Sequence, residues 1–201
     1  MIEQFLIRLR KIADTDHEIF PLLKQRYSPH VFKKERITDS HLKKMFEAVR
    51  WSASAENSQP WRFIYATLGT EAYSKIVDCL NDHQKKWASS TPLLILNAYK
   101  EKTEEGRENY HALFDLGLGV GSMTVQAQYM GIALHLITEI DEKKARELFK
   151  VPRDYQIASV IAAGYYGGDI AQLSKNLQKK ETQTRRRMPQ EDFAFREHWK
   201  D

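Results

Sequence analysis

Hydrophobic and polar positions change period several times along the chain, and each change predicts an element. Ile2 to Ile12 and Glu18 to Arg26 read as two opening helices. The Ser28-Pro29 step in SPHVF ends the second, because the residue before a proline is pushed out of the helical region. Leu42, Met45, Phe46 and Val49 recur at helical spacing and predict a third helix to about Arg50, capped by Asp39 or Ser40. RFIYAT (62–67) and PLLILNAY (92–99) are short, β-rich runs, the second apolar enough for a strand covered on both faces. Thr70 caps a helix from Glu71 to Leu80 between them. The longest helical pattern runs from about Glu108 to Met130 and closes at Gly131. Strand IALHLI, a helix capped by Asp141 and strand QIASVIAAGYYG follow, and beyond Asp169 the chain turns polar, basic and weakly periodic, which predicts an extended arm. The order predicts an α/β or α+β sheet protein.

At 201 residues and 42% hydrophobic content the chain can bury one core, so a single domain is predicted, with residues 1–15 as a helical extension and 170–201 as the arm. Glu3, Gln4 and Arg8 break the first apolar run and no later run could span a bilayer, so a soluble, cytoplasmic protein without a membrane partner is expected. Cys79 is the only cysteine, which rules out an internal disulfide or a thiolate zinc cluster within one chain. The net charge of +4 is concentrated in Lys175, Lys179, Lys180 and Arg185 to Arg187. Such a run is a solvated face, a nucleic-acid patch or a site for one phosphorylated ligand.

GLGVG (117–121) resembles a dinucleotide-binding loop only in spelling, since it lies inside a helical pattern with no strand before it. Gly117 and Gly121 share a helix face, so close packing is the better reading, between subunits included, despite about 1 kcal/mol per glycine in helix propensity. The seven histidines form no HExxH pair, and GxSxG and Walker patterns are absent, which disfavours metal, hydrolase and nucleotide-triphosphatase chemistry. Three polar clusters remain: RYSPH (26–30), SASAENSQPW (52–61) and RRRMP (185–189). Guanidinium and hydroxyl groups in the first and third suit a phosphate monoester, and the amides of the second suit a heterocycle with alternating carbonyl and N–H groups. Read singly, each is equally a surface loop or charge run.

In order and spacing these clusters resemble the nitroreductase family of FMN-dependent NAD(P)H oxidoreductases, from about Asp16 to about Phe195. The resemblance implies an α+β fold with a central, mostly antiparallel sheet flanked by helices, in an intertwined homodimer whose C-terminal arms cross to the partner. It implies two FMN sites at the interface, with NADH or NADPH as reductant and a nitroaromatic, quinone or enone as small acceptor. By the same resemblance Arg26, Tyr27 and Ser28 lie at the phosphate and ribityl end, and Arg185 and Arg187 complete the phosphate clamp. Asn57 would read the ring's polar edge with Ser54 and Gln59 nearby, Ser54 toward the other subunit's FMN, and main-chain N–H groups around Thr138 and Glu139 would approach flavin N5. His30 stands where the family usually has Arg or Lys, Glu139 where it often has glycine, and the Lys100 to Arg107 connection is short where larger members carry a lid. Rival readings are an FMN carrier or sensor without turnover, a branch specialised in dehalogenation or flavin breakdown, and a basic nucleic-acid-binding arm.

Overall fold

A computed structural model describes residues 2–103 and 105–199, with the side chains from residue 4 onward; Met1, Glu104 within the short connection, and Lys200 and Asp201 at the end of the arm lie outside the described residues. Helices α1 (Ile2–Arg10), α2 (Pro21–Gln25) and α3 (Asp39–Arg50) open the chain. Strand β1 (Trp61–Thr67), helices α4 (Glu71–Asp78) and α5 (Asp82–Ala88), and strand β2 (Leu93–Lys100) follow. Then come α6 (Ala112–Tyr129), β3 (Ile132–Ile137), α7 (Glu142–Phe149), β4 (Tyr155–Tyr165) and α8 (Lys175–Thr182).

The four strands form one sheet in the order β1-β2-β4-β3, and every neighbouring pair is antiparallel. The fold is therefore α+β, with β2 and β4, the two longest strands, in the middle. Their side chains alternate between two core layers, as a period of two requires. Leu94, Leu96 and Ala162 face Tyr73, Ile76, Trp87 and Ala145 from α4, α5 and α7, while Leu93, Ile95, Ile161 and Ala163 face Met45, Val49, Leu116 and Met123 from α3 and α6. Within the sheet Asn97 and Ser159 form a buried polar pair, hydrogen-bonded at 2.9 Å beside a register shift between β2 and β4. Among the described residues no helix is long and apolar enough to cross a membrane.

Several boundaries differ from the sequence reading. Thr38, not Asp39 or Ser40, caps α3 by accepting the His41 N–H, whereas Thr70 and Asp141 cap α4 and α7 as expected. Helix α2 starts at Pro21, whose fixed φ suits a first helical position. The arm is not extended throughout, since Ser174 caps α8. Gly117 and Gly121 have no neighbour within 4 Å of where a Cβ would stand, so the close approach inside this chain belongs to Gly119, where a Cβ would stand 3.1 Å from Val49 Cγ1 and 3.5 Å from Trp61 Cε3.

Candidate functional site

Pro29 forbids helix before it, so the chain leaves α2 at Arg26 in an extended conformation and turns Tyr27 inward. The Tyr27 ring packs on Tyr166, just past β4, with centroids 5.0 Å apart, and the Tyr166 hydroxyl donates to Gln128 Oε1 at 2.7 Å. Burial raises the pKa of both phenols, that of Tyr27 strongly, so they act as neutral packing and hydrogen-bonding groups. This pair anchors the segment that presents Arg26 and Ser28, which meet at 3.3 Å.

Arg185 arrives from the opposite end of the sequence. Its Nη1 donates to the Arg26 carbonyl and its Nη2 to the Lys24 carbonyl, each at 2.5 Å, while its buried Nε has no partner among the described residues. The guanidinium thus caps the carbonyl end of α2, where a helix favours a cation. Burial is the main cause lowering its pKa, followed by the positive charges of Arg26 and Arg187. Among the described residues no carboxylate pairs with Arg26, Arg185 or Arg187. Three like charges gathered without a counter-ion, one with an orphaned donor, suit an external anion.

His30 turns away from these arginines. Its backbone N–H and its Nδ1 both lie 2.7 Å from Glu181 Oε1 of α8, and its side chain is 15% exposed. Its ring stands edge-on to Trp87 and to His135 of β3, at 5.1 and 4.6 Å. Thr138 and Glu139 form the exposed segment after β3, held to the α4–α5 connection by an Asn81 Nδ2 to Glu139 Oε2 bond of 2.9 Å and, just beyond, an Asp141 N–H to Cys79 carbonyl bond of 2.7 Å.

The loop 52–61 lies elsewhere, and no hydrogen bond or ring contact among the described residues joins it to the arginines. Glu56, Asn57 and Gln59 all have positive φ, at 51, 56 and 45°. Each such residue costs about 1 kcal/mol or more, so other contacts must hold the conformation. Asp115 of α6, only 2% exposed, accepts the Ala55 N–H at 3.1 Å; Ser54 Oγ accepts the Gln59 N–H at 3.1 Å; and Gln59 Nε2 donates to the Asn57 carbonyl at 2.9 Å. The Asn57 side chain is left exposed at a cleft of about 420 Å³ lined also by Glu56, Gln59, Lys100, Lys102 and Asn109.

The structure therefore brings the first and third clusters together and leaves the second apart. Sequence reading missed Asp115, Glu181 and Lys11, although Asp115 was a lone acid in the apolar run ALFDLGLG. The basic run is not one solvated stripe, because Arg185 faces inward while Arg186 and Arg187 are exposed.

Fold and cluster define an α+β sheet protein in which, among the described residues, three clustered arginines have no carboxylate partner. The model of the nitroreductase family matches residues 23–165, and the chain belongs to that family. It is 26% identical over 113 residues, 56% of this chain and 75% of the other, to a Mycolicibacterium smegmatis protein known as an uncharacterized 15.4 kDa protein in the ask 5' region. A crystal structure of an oxidoreductase containing FMN superposes with a TM-score of 0.88 at 26% identity, over 94% of this chain and 96% of that one. A Clostridium difficile nitroreductase family protein gives 0.70 at 20% identity, over 91% and 100%. An FMN complex from Desulfovibrio desulfuricans gives 0.70 at 18%, over 92% and 100%. The last two bear on the fold alone.

Proposed function

We propose that this protein is an FMN-dependent oxidoreductase, a homodimer that takes reducing equivalents from NADH or NADPH and delivers them to a small acceptor such as a nitroaromatic, quinone or enone. The observation that carries the reading is the arginine cluster with its orphaned Nε and, among the described residues, no carboxylate partner, in a chain whose relative at 26% identity contains FMN. Arg26, Arg185 and Arg187, with the Ser28 hydroxyl, would hold the phosphate, and Tyr27 fixes the backbone that presents them. FMN bound here would supply a ring that accepts a hydride from the nicotinamide and passes it on, chemistry for which no side chain substitutes.

Asn57, with Ser54 and Gln59 beside it, would read the polar edge of the ring, and backbone N–H groups at Thr138 and Glu139 would face its centre. Because loop 52–61 is not joined to the arginines within one chain, a second copy would bring it to them. Helix α6 offers the surface for this: Leu113 and Phe114 are exposed beside the open Gly117 and Gly121 positions. Phe193 and Trp199 of the arm are also exposed and free to reach a partner. His30 would present an imidazole whose Nδ1 is held by Glu181 at 2.7 Å, a weaker pole than a free arginine.

Purified protein should be yellow, release FMN on denaturation and bleach on anaerobic mixing with NADH or NADPH. A colourless preparation that takes up no FMN refutes the cofactor assignment. A yellow one that neither nucleotide bleaches refutes the reductase assignment and leaves a flavin carrier.

A further inference from the structure

Helix α1 lies outside the residues matched by the family model, yet it is fastened to the phosphate-binding end of the molecule at both of its ends. Near its start, Gln4 Nε2 donates to the Gly168 carbonyl at 2.5 Å, ahead of α8. Just past its end, Lys11 is 7% exposed and its Nζ donates to the Lys180 carbonyl at 2.6 Å, in the last turn of α8. That carbonyl is one of the four a helix cannot satisfy internally, and a cation there meets the negative end of the helix dipole.

The position of α8 decides where the arm goes, because Arg185 follows its last residue, Thr182, by three positions. Lys11 also stands over the Tyr27 ring, 5.7 Å from its centroid, and Arg8 over the Tyr166 ring at 4.8 Å. The Ala13 N–H donates to the Lys24 carbonyl at 2.9 Å, the same oxygen that accepts from Arg185 Nη2. One short N-terminal segment therefore touches α2, the Tyr27–Tyr166 pair and α8, the three supports of the arginine cluster. A lysine this buried is costly unless its charge is used; Glu181 compensates it in part, while Arg185 opposes it.

We propose that α1 is a clamp on the phosphate end of the flavin site, in which Lys11 is a positioning residue: it fixes the end of α8 so that Arg185 seats on α2, and thereby sets the preference for a phosphorylated over an unphosphorylated flavin. The proposal rests on the FMN reading above. Lys11 does not touch the ligand; it acts through Arg185. Its removal should therefore weaken binding of FMN and leave riboflavin, which lacks the phosphate, unaffected.

The test is fluorescence titration of the full-length apoprotein with FMN and with riboflavin, alongside hydrogen exchange without ligand. Lys11→Met should lower FMN affinity by about tenfold, the order expected for one charge-assisted hydrogen bond, with riboflavin unchanged. Lys11→Arg should restore most of the loss. Gln4→Ala, which leaves the buried charge in place, should act in the same direction by less. Amides 183–187 should exchange faster in Lys11→Met while those of β2 and β4 keep wild-type protection, which separates displacement of the arm from failure to fold. Equal weakening of both flavins, unchanged FMN affinity, or an arm that exchanges as in the wild type overturns the proposal while the FMN reading stands. A wild-type protein that does not prefer FMN to riboflavin overturns the phosphate reading, and the clamp with it.

Discussion

His135 should make the protein acid-labile above the range in which carboxylates titrate. Its ring lies 4.6 Å from both the His30 and the Trp87 ring centroids, and its Nδ1 donates to the Pro29 carbonyl at 2.8 Å. Burial pushes its pKa down from 6.5 to about 4; His30 and more distantly Lys180 add to the lowering, against the Pro29 carbonyl and Glu181. The unfolded chain therefore takes up a proton near pH 6.5 that the folded chain refuses until about pH 4. The stability associated with the neutral ring is fully present above the unfolded pKa and is lost as pH falls through this window. In full it amounts to about 3 kcal/mol, of which about 2 kcal/mol goes between about pH 8 and about pH 5. For a domain of this size that lowers Tm by about 4–8 °C. His135→Gln keeps a donor for the Pro29 carbonyl but cannot titrate, so its Tm, followed by circular dichroism, should fall by that much less over the same interval. Carboxylate contributions are common to both proteins and cancel. Equal acid losses in wild type and variant would refute the reasoning.

Other substitutions probe the packing and the loop. Gly164→Ala would place a methyl group 2.9 Å from Phe32 Cβ in the β4 core, and denaturant titration should show about 1–3 kcal/mol of destabilisation. Phe114→Glu, at a position 67% exposed in the single chain, should weaken self-association by about 4 kcal/mol if two-fold symmetry counts a loss of about 2 kcal/mol twice; analytical ultracentrifugation that finds an unchanged dimer removes α6 from the interface. Asp115→Ala strips the Ala55 N–H of its acceptor, which should cost about 1–3 kcal/mol and speed hydrogen exchange at 54–59 with the arginine cluster unaffected.

What the sequence reveals follows the range of the interaction. The strands were legible because β2 and β4 are buried on both faces and read as continuous apolar runs, and the Thr70 and Asp141 caps because a cap is made within one turn. Helices α5 and α8 were not. The former, DHQKKWA, offers little more than Trp87 and Ala88 to the core, and the latter, KNLQKKET, has Leu177 as its one buried apolar side chain. Both helices depend on tertiary contacts, α8 on His30 and Lys11, which lie more than a hundred residues away. The site divides in the same way. The arginines suggested an anion by residue type, but the seating of Arg185 on the α2 carbonyls and the pairing of His30 with Glu181 are long-range facts that no local pattern encodes.

Glu181 shows why those long-range contacts matter for chemistry. It is a buried carboxylate on α8, four residues before Arg185, and a carboxylate that reached the arginines would compete with phosphate for them. The fold withholds it. The backbone N–H and the Nδ1 of His30 converge on the Glu181 Oε1, and the buried Lys11 supplies a further positive charge nearby. The charges felt at Arg185 include those of Arg26, Arg187, the Tyr166 phenol and Lys11, none of them a carboxylate. The pairing of His30 with Glu181 thus keeps that carboxylate occupied, and among the described residues no other carboxylate pairs with Arg26, Arg185 or Arg187.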